Sequence, residues 1–331
     1  RPETSPLPMF DILAITGPIY LCILAGWASV RWDFFTKADM RVLGKFVLQI
    51  ALPALLFYAL ASRPLVEVMR PGYLLAFTLG SLALLLGSLC WAWKVQRKSL
   101  TESTYVAMGM SCSNSGYIGY PVMLLLFGPL GGVVLALNLI VENLIKLPLL
   151  FTLADAGAHE GQRLSLAAVL RQTAERLAKN PMIIGIVLGF MVSLSGWALP
   201  SVLTRFVTLF SGAAGGLALF VIGGSLAGQS LRGMGRPVLQ ITLGKLVLHP
   251  AAVWGAIALL AVLGLPVPEG DLRAAAVLSA AMPMLGVYAI LAQRHGHEGF
   301  AAAALLGTTA ASFVSLNAIL WLMRHSAGWL G

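Results

Sequence analysis

The chain has 331 residues, 58% hydrophobic and only 11% charged, with a mean hydropathy of +0.86. Soluble domains carry about 25% charged residues, so this composition excludes a soluble globule and leaves an integral membrane protein. The net charge of +9 is scattered over short connections rather than gathered on one face, which argues against nucleic acid as a partner and for a positive-inside bias.

Ten apolar runs follow in order, at 10–30, 40–61, 72–93, 104–127, 131–153, 181–198, 201–228, 238–263, 272–293 and 299–323. About 20 apolar residues span a bilayer, so each run is read as a membrane helix. The first is longer than the apolar core of a signal peptide and no clear cleavage site follows it, so it is kept as a span. Cys22, Cys90 and Cys112 all lie inside apolar runs, an odd and embedded set without metal-type spacing that argues against disulfides. In the second run Gln49 precedes Pro53, where it either lines a cavity or satisfies a kink.

The fourth run carries the most unusual stretch: Ser111-Cys112-Ser113-Asn114-Ser115-Gly116-Tyr117-Ile118-Gly119-Tyr120-Pro121. Proline removes a backbone donor and clashes one turn back, so a helix cannot run through Pro121 unbroken. Freed backbone groups at membrane depth are tolerated only where protein or a water-filled cavity satisfies them, which makes a broken, polar helix a candidate binding site. The plainer alternative is a kinked helix whose small residues pack on a neighbour.

In the fifth run Glu142 and Lys146 stand four apart on one helix face. They are either a self-neutralising structural pair or a proton-coupling carboxylate with its partner. The connection 154–180 reads as a linker with an amphipathic helix, Leu166, Val169, Leu170 and Leu177 set against Arg163, Arg171, Arg176 and Lys179. Such a helix lies on an anionic leaflet. In the eighth run His249 precedes Pro250 and is either a protonatable relay or a packing histidine, while Lys245 is expected to snorkel to the surface. Gly185-x-x-x-Gly189 and Gly212-x-x-x-Gly216 read as close-packing faces.

With the first residue outside, alternate loops place 14 Lys and Arg on one side and 6 on the other, Lys146 and Lys245 falling inside spans. That bias puts both termini outside and the 154–180 linker in the cytoplasm. Gly17-Pro18 with Gly26 recurs as Asn180-Pro181 with Gly189, and Leu56-Phe57 with Ser62 recurs as Leu219-Phe220 with Ser225, both at an offset of 163. Tyr120-Pro121 recurs as Met282-Pro283 at 162. Five spans per copy is an odd number, so the second copy enters the membrane inverted, a signature of secondary transporters. Residues 1–153 are then the first repeat and 181–331 the second. Pro121 and Pro283 are each expected to open a second half-helix. Two half-helix N-termini facing one cavity form an anion site without a buried arginine.

The motif Ser113–Pro121 followed by Phe127-Gly128 resembles the fourth-span motif of the auxin efflux carrier family. Supporting matches are Ile50–Phe57, Lys179-Asn180-Pro181, Leu219–Leu226 and Ala281-Met282-Pro283, spread over nearly the whole chain. The resemblance implies an all-α polytopic membrane protein of ten transmembrane helices, two inverted five-helix repeats whose broken fourth and ninth helices cross. It also implies organic-anion transport by an elevator-type alternating access, in a bacterial inner membrane and compatible with a homodimer. Asn114 and Pro121 match the family's substrate-site asparagine and crossover proline. The ninth span departs, since Met284-Leu285-Gly286-Val287-Tyr288 stands where many members have a more polar run.

Taken together, the expected substrate is a small mono- or dicarboxylate, malonate- or auxin-like. It is held by Asn114 with Ser113, Ser115, Gly116, Tyr117, Tyr120 and Pro121, and by Pro283, Met284 and Tyr288 from the ninth span. Glu142, Lys146, His249 and Gln49 are the ion-coupling candidates. No metal or cofactor is expected, and coupling to protons, sodium or neither stays open. An uncoupled uniporter or channel is the alternative. The absence of a G-x-x-x-x-G-K-[ST] phosphate loop argues against a primary transporter, and an intramembrane enzyme is more remote because His-Glu-x-x-His is absent.

Overall fold

The computed structural model describes residues 9–64, 69–158, 166–228, 235–286, 288, 292 and 298–325. Twelve helices are traced there: α1 Met9–Arg31, α2 Lys37–Ala61, α3 Pro71–Val95, α4 Leu100–Ser111, α5 Ser115–Phe127 and α6 Leu130–Gly157. Then come α7 Leu166–Ala178, α8 Pro181–Ser195, α9 Ser201–Leu226, α10 Arg236–Val262, α11 Asp271–Ala281 and α12 Glu298–His325. Among the described residues no strand forms; one antiparallel bridge joins Ser113 to Met284.

Among the described residues six helices are long and apolar enough to cross a bilayer: α2, α3, α6, α9, α10 and α12, the last over Phe300–Met323. A seventh is added if Arg171–Ala178 and α8 count as one span, although they meet at a 77° bend. Asn180 caps α8 there, its Oδ1 accepting from the Met182 N–H at 3.0 Å, and Pro181 takes the first turn where a missing donor is harmless. Most of the expected ninth run beyond Gly286 lies outside the described residues.

Four prolines are absorbed in the same way. Pro53, Pro121, Pro148 and Pro250 each stand two residues after a π turn, at Val47–Ala51, Ser115–Gly119, Glu142–Lys146 and Gly244–Leu248. The residue before each proline donates five positions back: Leu52 to Val47, Tyr120 to Ser115, Leu147 to Glu142, His249 to Gly244. The wider turn re-registers the ladder around the donor that proline lacks, so these helices bend without stopping.

Packing is reciprocal. A Cβ on Gly26 of α1 would overlap the Phe220 carbonyl of α9, and one on Gly189 of α8 would sit 2.9 Å from the Phe57 carbonyl of α2. Gly185 meets Pro53 of α2 in the same groove, as its spacing led us to expect. Gly212 and Gly216 instead have nothing within 4 Å of a Cβ position, so among the described residues that pair has no packing partner. α3 lies along α10, Gly80 backing onto Val253, and α4 is held between α3 and α6. The larger apolar core runs through α1, α2, α3, α5, α6, α8, α9, α10, α11 and α12, and a second cluster gathers on α4 with Met284 and Tyr288.

Candidate functional site

α4 and α11 both end inside the molecule. Ser111 closes α4, and Cys112 takes an extended conformation (φ −91°, ψ 129°). Ala281 closes α11, and Met282 is likewise extended (φ −60°, ψ 149°). The second break follows from Pro283, whose ring disfavours helical backbone in the residue before it. The two extended segments then satisfy each other: Asn114 N–H donates to the Pro283 carbonyl at 2.8 Å and Leu285 N–H to the Cys112 carbonyl at 3.2 Å. Buried backbone groups must be paired, and this short exchange provides partners where helix bonds stop.

α5 begins at Ser115, which corrects the expectation that Pro121 opens it. Asn114 is its N-cap, with Oδ1 accepting from the Tyr117 N–H at 3.2 Å. Pro121 sits a turn and a half further on, tolerated by the π turn before it. Pro283 does not open a helix either; it lies in the extended segment and contributes its carbonyl to Asn114. The Tyr120-Pro121 and Met282-Pro283 match is therefore no structural equivalence.

Asn114 is 2% and Ser115 4% exposed. Asn114 Nδ2 and Ser115 Oγ are buried without a hydrogen-bond partner. A buried polar group left unpaired costs about 1–3 kcal/mol, so two at one helix start need an explanation. Gly286 faces them: a Cβ there would lie 3.4 Å from Asn114 Nδ2 and 3.7 Å from the Tyr117 ring. The Tyr117 hydroxyl donates to the Gly44 carbonyl of α2 at 3.0 Å, while Gly116 lies against Leu52. Tyr120 and Pro121 are buried beside Gly215 of α9. Met284 is buried in the bridge to Ser113. Tyr288 does not join the others: its hydroxyl donates to the Tyr105 carbonyl of α4 at 2.8 Å, and it packs in the second apolar cluster.

A charged cluster lies behind the crossing. Glu142 and Lys146 form a buried pair at 2.7 Å, with side chains 3% and 0% exposed. Glu142 Oε1 also accepts from the Ser113 N–H at 3.1 Å, and Lys146 Nζ donates to the Ser111 carbonyl at 2.5 Å. Glu142 Oε2 has no hydrogen-bond partner. Lys245 does not snorkel; it is fully buried and donates to the Ala280 carbonyl at 2.6 Å and to Ser113 Oγ at 2.8 Å. Each lysine thus holds a carbonyl at the C-terminal end of one helix, Lys146 that of α4 and Lys245 that of α11, where the helix dipole favours a cation. Lys245 Nζ is also 2.7 Å from His249 Nδ1, and His249 Nε2 is 2.9 Å from Ser81 Oγ of α3. Gln49 stands apart, exposed on α2, so it neither lines this site nor joins the cluster.

Sequence reasoning missed a second buried group. Tyr73 donates its one hydroxyl proton to Asn138 Oδ1 at 2.7 Å and lies 3.2 Å from Ser279 Oγ, and Asn138 Nδ2 donates to Ser279 Oγ at 2.9 Å. These ties fasten α3, α6 and α11 together, one turn from Glu142 and next to Ala280. Their signal was available: each is an isolated polar residue in an apolar run. Among the described residues no three His, Cys, Asp or Glu side chains gather as metal ligands.

Helix-start donors, the Asn114 amide and the Ser115 hydroxyl thus gather at the start of α5, with the Lys146 and Lys245 ammonium groups bonded to the neighbouring Ser111 and Ser113, a donor set of the kind that suits an anion. Residues 13–321 match the protein family described as membrane transport protein. The "Putative malonate transporter" of Rhizobium meliloti (strain 1021) is 27% identical over 327 residues, 96% of this chain and 98% of that one. The "Uncharacterized transporter YfdV" of Escherichia coli (strain K12) is 27% identical over 245 residues, 71% of this chain and 75% of its own. "Auxin efflux carrier component 2" of Arabidopsis thaliana is 24% identical over 167 residues, 50% of this chain and 25% of its own. The chain therefore belongs to the membrane transport protein family, that of the auxin efflux carriers, and is a multi-pass membrane transporter rather than an enzyme.

Proposed function

We propose that this chain is a secondary transporter of small organic anions, with malonate-like carboxylates the first candidates. The substrate binds where the extended segments 112–114 and 282–285 cross. The observation that carries this reading is the pair of buried, unpartnered groups at the start of α5, Asn114 Nδ2 and Ser115 Oγ. A carboxylate bound there accepts from both and from the first backbone N–H groups of α5, where the helix dipole favours negative charge. Gly286 leaves room opposite Asn114, and Tyr117 forms a wall. The resemblance to a protein named as a malonate transporter over nearly the whole chain points to the same substrate class.

The finer architecture belongs to the proposal too. Residues 1–153 and 181–331 are two inverted five-span repeats, ten spans in all, joined by the cytoplasmic linker 154–180. The reciprocal contacts Gly26 to Phe220 and Gly189 to Phe57 support it, since the two glycines and the two phenylalanines each differ by 163 positions. α4 with α5 is then the broken fourth span, and α11 begins the ninth. α1, α2, α8 and α9 form one body, and the crossing with α3, α6, α10 and α12 forms the other. Alternating access follows by sliding the second body against the first, so the Tyr117–Gly44 bond spans a moving boundary. The loop bias supports an orientation with both termini outside, and a bacterial inner membrane is part of the same proposal. Homodimerisation is part of the same reading.

A thermal-shift screen of purified protein against mono- and dicarboxylates, with and without sodium, tests the substrate class. Malonate or a close analogue is expected to raise the melting temperature in wild type and not in Asn114→Ala. No shift with any carboxylate at millimolar concentration would remove the proposal.

A further inference from the structure

Among the described residues, two buried ammonium groups stand at the crossing beside one buried carboxylate. Lys146 is matched, its Nζ lying 2.7 Å from Glu142 Oε1. Lys245 is not. Its Nζ serves three acceptors, the Ala280 carbonyl at 2.6 Å, His249 Nδ1 at 2.7 Å and Ser113 Oγ at 2.8 Å, as an ammonium with three hydrogens does. All three are uncharged, since an accepting Nδ1 leaves the single ring proton of His249 on Nε2, 2.9 Å from Ser81 Oγ. The carboxylate whose field reaches Lys245 is Glu142, and it is already bonded to Lys146. A charge taken out of water is costly unless it is paired, and Lys245, fully buried, has no counter-ion of its own among the described residues.

The unused hydrogens indicate the missing group. Ser113 Oγ accepts from Lys245, so its own hydrogen is left to donate, and among the described residues nothing accepts it. The Ser113 and Asn114 N–H groups are already spent, on Glu142 Oε1 and the Pro283 carbonyl. Asn114 Nδ2 and Ser115 Oγ have no partner either. Three consecutive side chains thus keep donors without acceptors, and the first is polarised by an ammonium. Glu142 works against an anion here, its Oε2 being an unpartnered acceptor, but Lys146 offsets that charge. Lys245 is therefore the charge that decides.

We infer that Lys245 is a positioning residue that sets the charge of the substrate: acting through the Ser113 hydroxyl, it makes the crossing select a dicarboxylate dianion over a monocarboxylate. The inference rests on the carboxylate reading above. One carboxylate takes Asn114 Nδ2, Ser115 Oγ and the first N–H groups of α5. The other takes the Ser113 hydroxyl and is the counter-ion of Lys245. Consecutive Cα atoms are about 3.8 Å apart, so donors on neighbouring residues suit two carboxylates separated by a single carbon. Hydrogen bonds to a charged acceptor are roughly twice as strong as neutral ones, which gives the second carboxylate its weight. A monocarboxylate leaves Lys245 unmatched and binds less well. No proton moves and no covalent bond changes.

Calorimetry in nanodiscs at about pH 8, where carboxylates are ionised, compares malonate with its monomethyl ester. The quantity read is the preference, the ratio of the two affinities. The ester's methyl is common to every variant and cancels when preferences are compared, and a variant that merely loosens the fold lowers both affinities together. Wild type is expected to prefer malonate. Lys245→Met is expected to lose at least about tenfold of that preference, the order for one unit charge a few ångströms away at an effective dielectric of about 20. An unmoved ratio overturns the inference. If Lys245→Met does not fold, Ser113→Ala replaces it, keeping the ammonium but removing the hydroxyl. The preference is again expected to fall, and an unmoved ratio again overturns the inference. If wild type binds neither carboxylate, the carboxylate reading fails by itself, and inorganic sulfate and nitrate at equal ionic strength decide the charge role. The excess of the melting-temperature rise in sulfate over that in nitrate is expected to shrink in the variant, and an equal excess overturns the role of Lys245.

Discussion

Lys146→Met is the most demanding test of how the crossing is held. The substitution keeps the apolar stem but removes the donor to Glu142 Oε1 and to the Ser111 carbonyl. Breaking a buried pair from one side costs about 3–5 kcal/mol, because the remaining charge has no compensation. At 1.4 kcal/mol per tenfold, that is roughly two to three and a half powers of ten in the folded-to-unfolded ratio. The same chain contains its own control. Arg171 and Glu175 are also spaced i, i+4 and lie 2.9 Å apart, but their side chains are 82% and 53% exposed. An exposed pair contributes about 0.2–1 kcal/mol, so Arg171→Met is expected to leave stability nearly unmoved. Unfolding midpoints in mild detergent, compared for both single variants and for Glu142→Gln/Lys146→Met, separate these cases. The double variant is expected to lose less than the sum of its two singles, since neither partner is left charged alone. If Lys146→Met costs no more than Arg171→Met, the buried pair is not what secures α4 at its end.

Three further outcomes follow from the geometry. Asn114→Ala removes both the cap on α5 and the free Nδ2, so malonate affinity is expected to fall at least about tenfold by calorimetry, with a stability loss of about 1 kcal/mol. Gly26→Ala drives a methyl into the Phe220 carbonyl and is expected to abolish well-folded protein on size exclusion, whereas Gly212→Ala meets open space and is expected to behave as wild type. Gln49→Leu, on an exposed position of α2, is expected to leave both melting temperature and malonate affinity unchanged.

Much of this was legible in the sequence, because apolar runs report span length directly. The expected 40–61, 72–93, 131–153 and 238–263 correspond to α2, α3, α6 and α10 within a few residues. The polar stretch 111–121 also marked where a helix stops, since serine, asparagine and glycine at that depth demand partners. Where within it the next helix starts was not legible. Proline suggested a boundary at position 121, but a π turn supplies the re-registering that a boundary would otherwise provide, and the start falls to Asn114, whose side chain caps it. Pro283 misled in the opposite sense: its effect falls on Met282, which it drives out of the helix. Lys245 was misplaced because its partners Ser113 and Ala280 are 132 and 35 positions away, and spacing along one helix carries no trace of them. Tyr73, Asn138 and Ser279 were passed over for the same reason, their pairing being entirely between helices.

The central claim is tested most directly by counterflow of radiolabelled malonate in proteoliposomes, run side by side for wild type and Asn114→Ala. The account predicts saturable exchange in wild type that unlabelled malonate competes away, and its loss in the variant while the protein stays folded. Flux that does not saturate, or exchange undiminished in Asn114→Ala, would contradict a carboxylate site at the crossing.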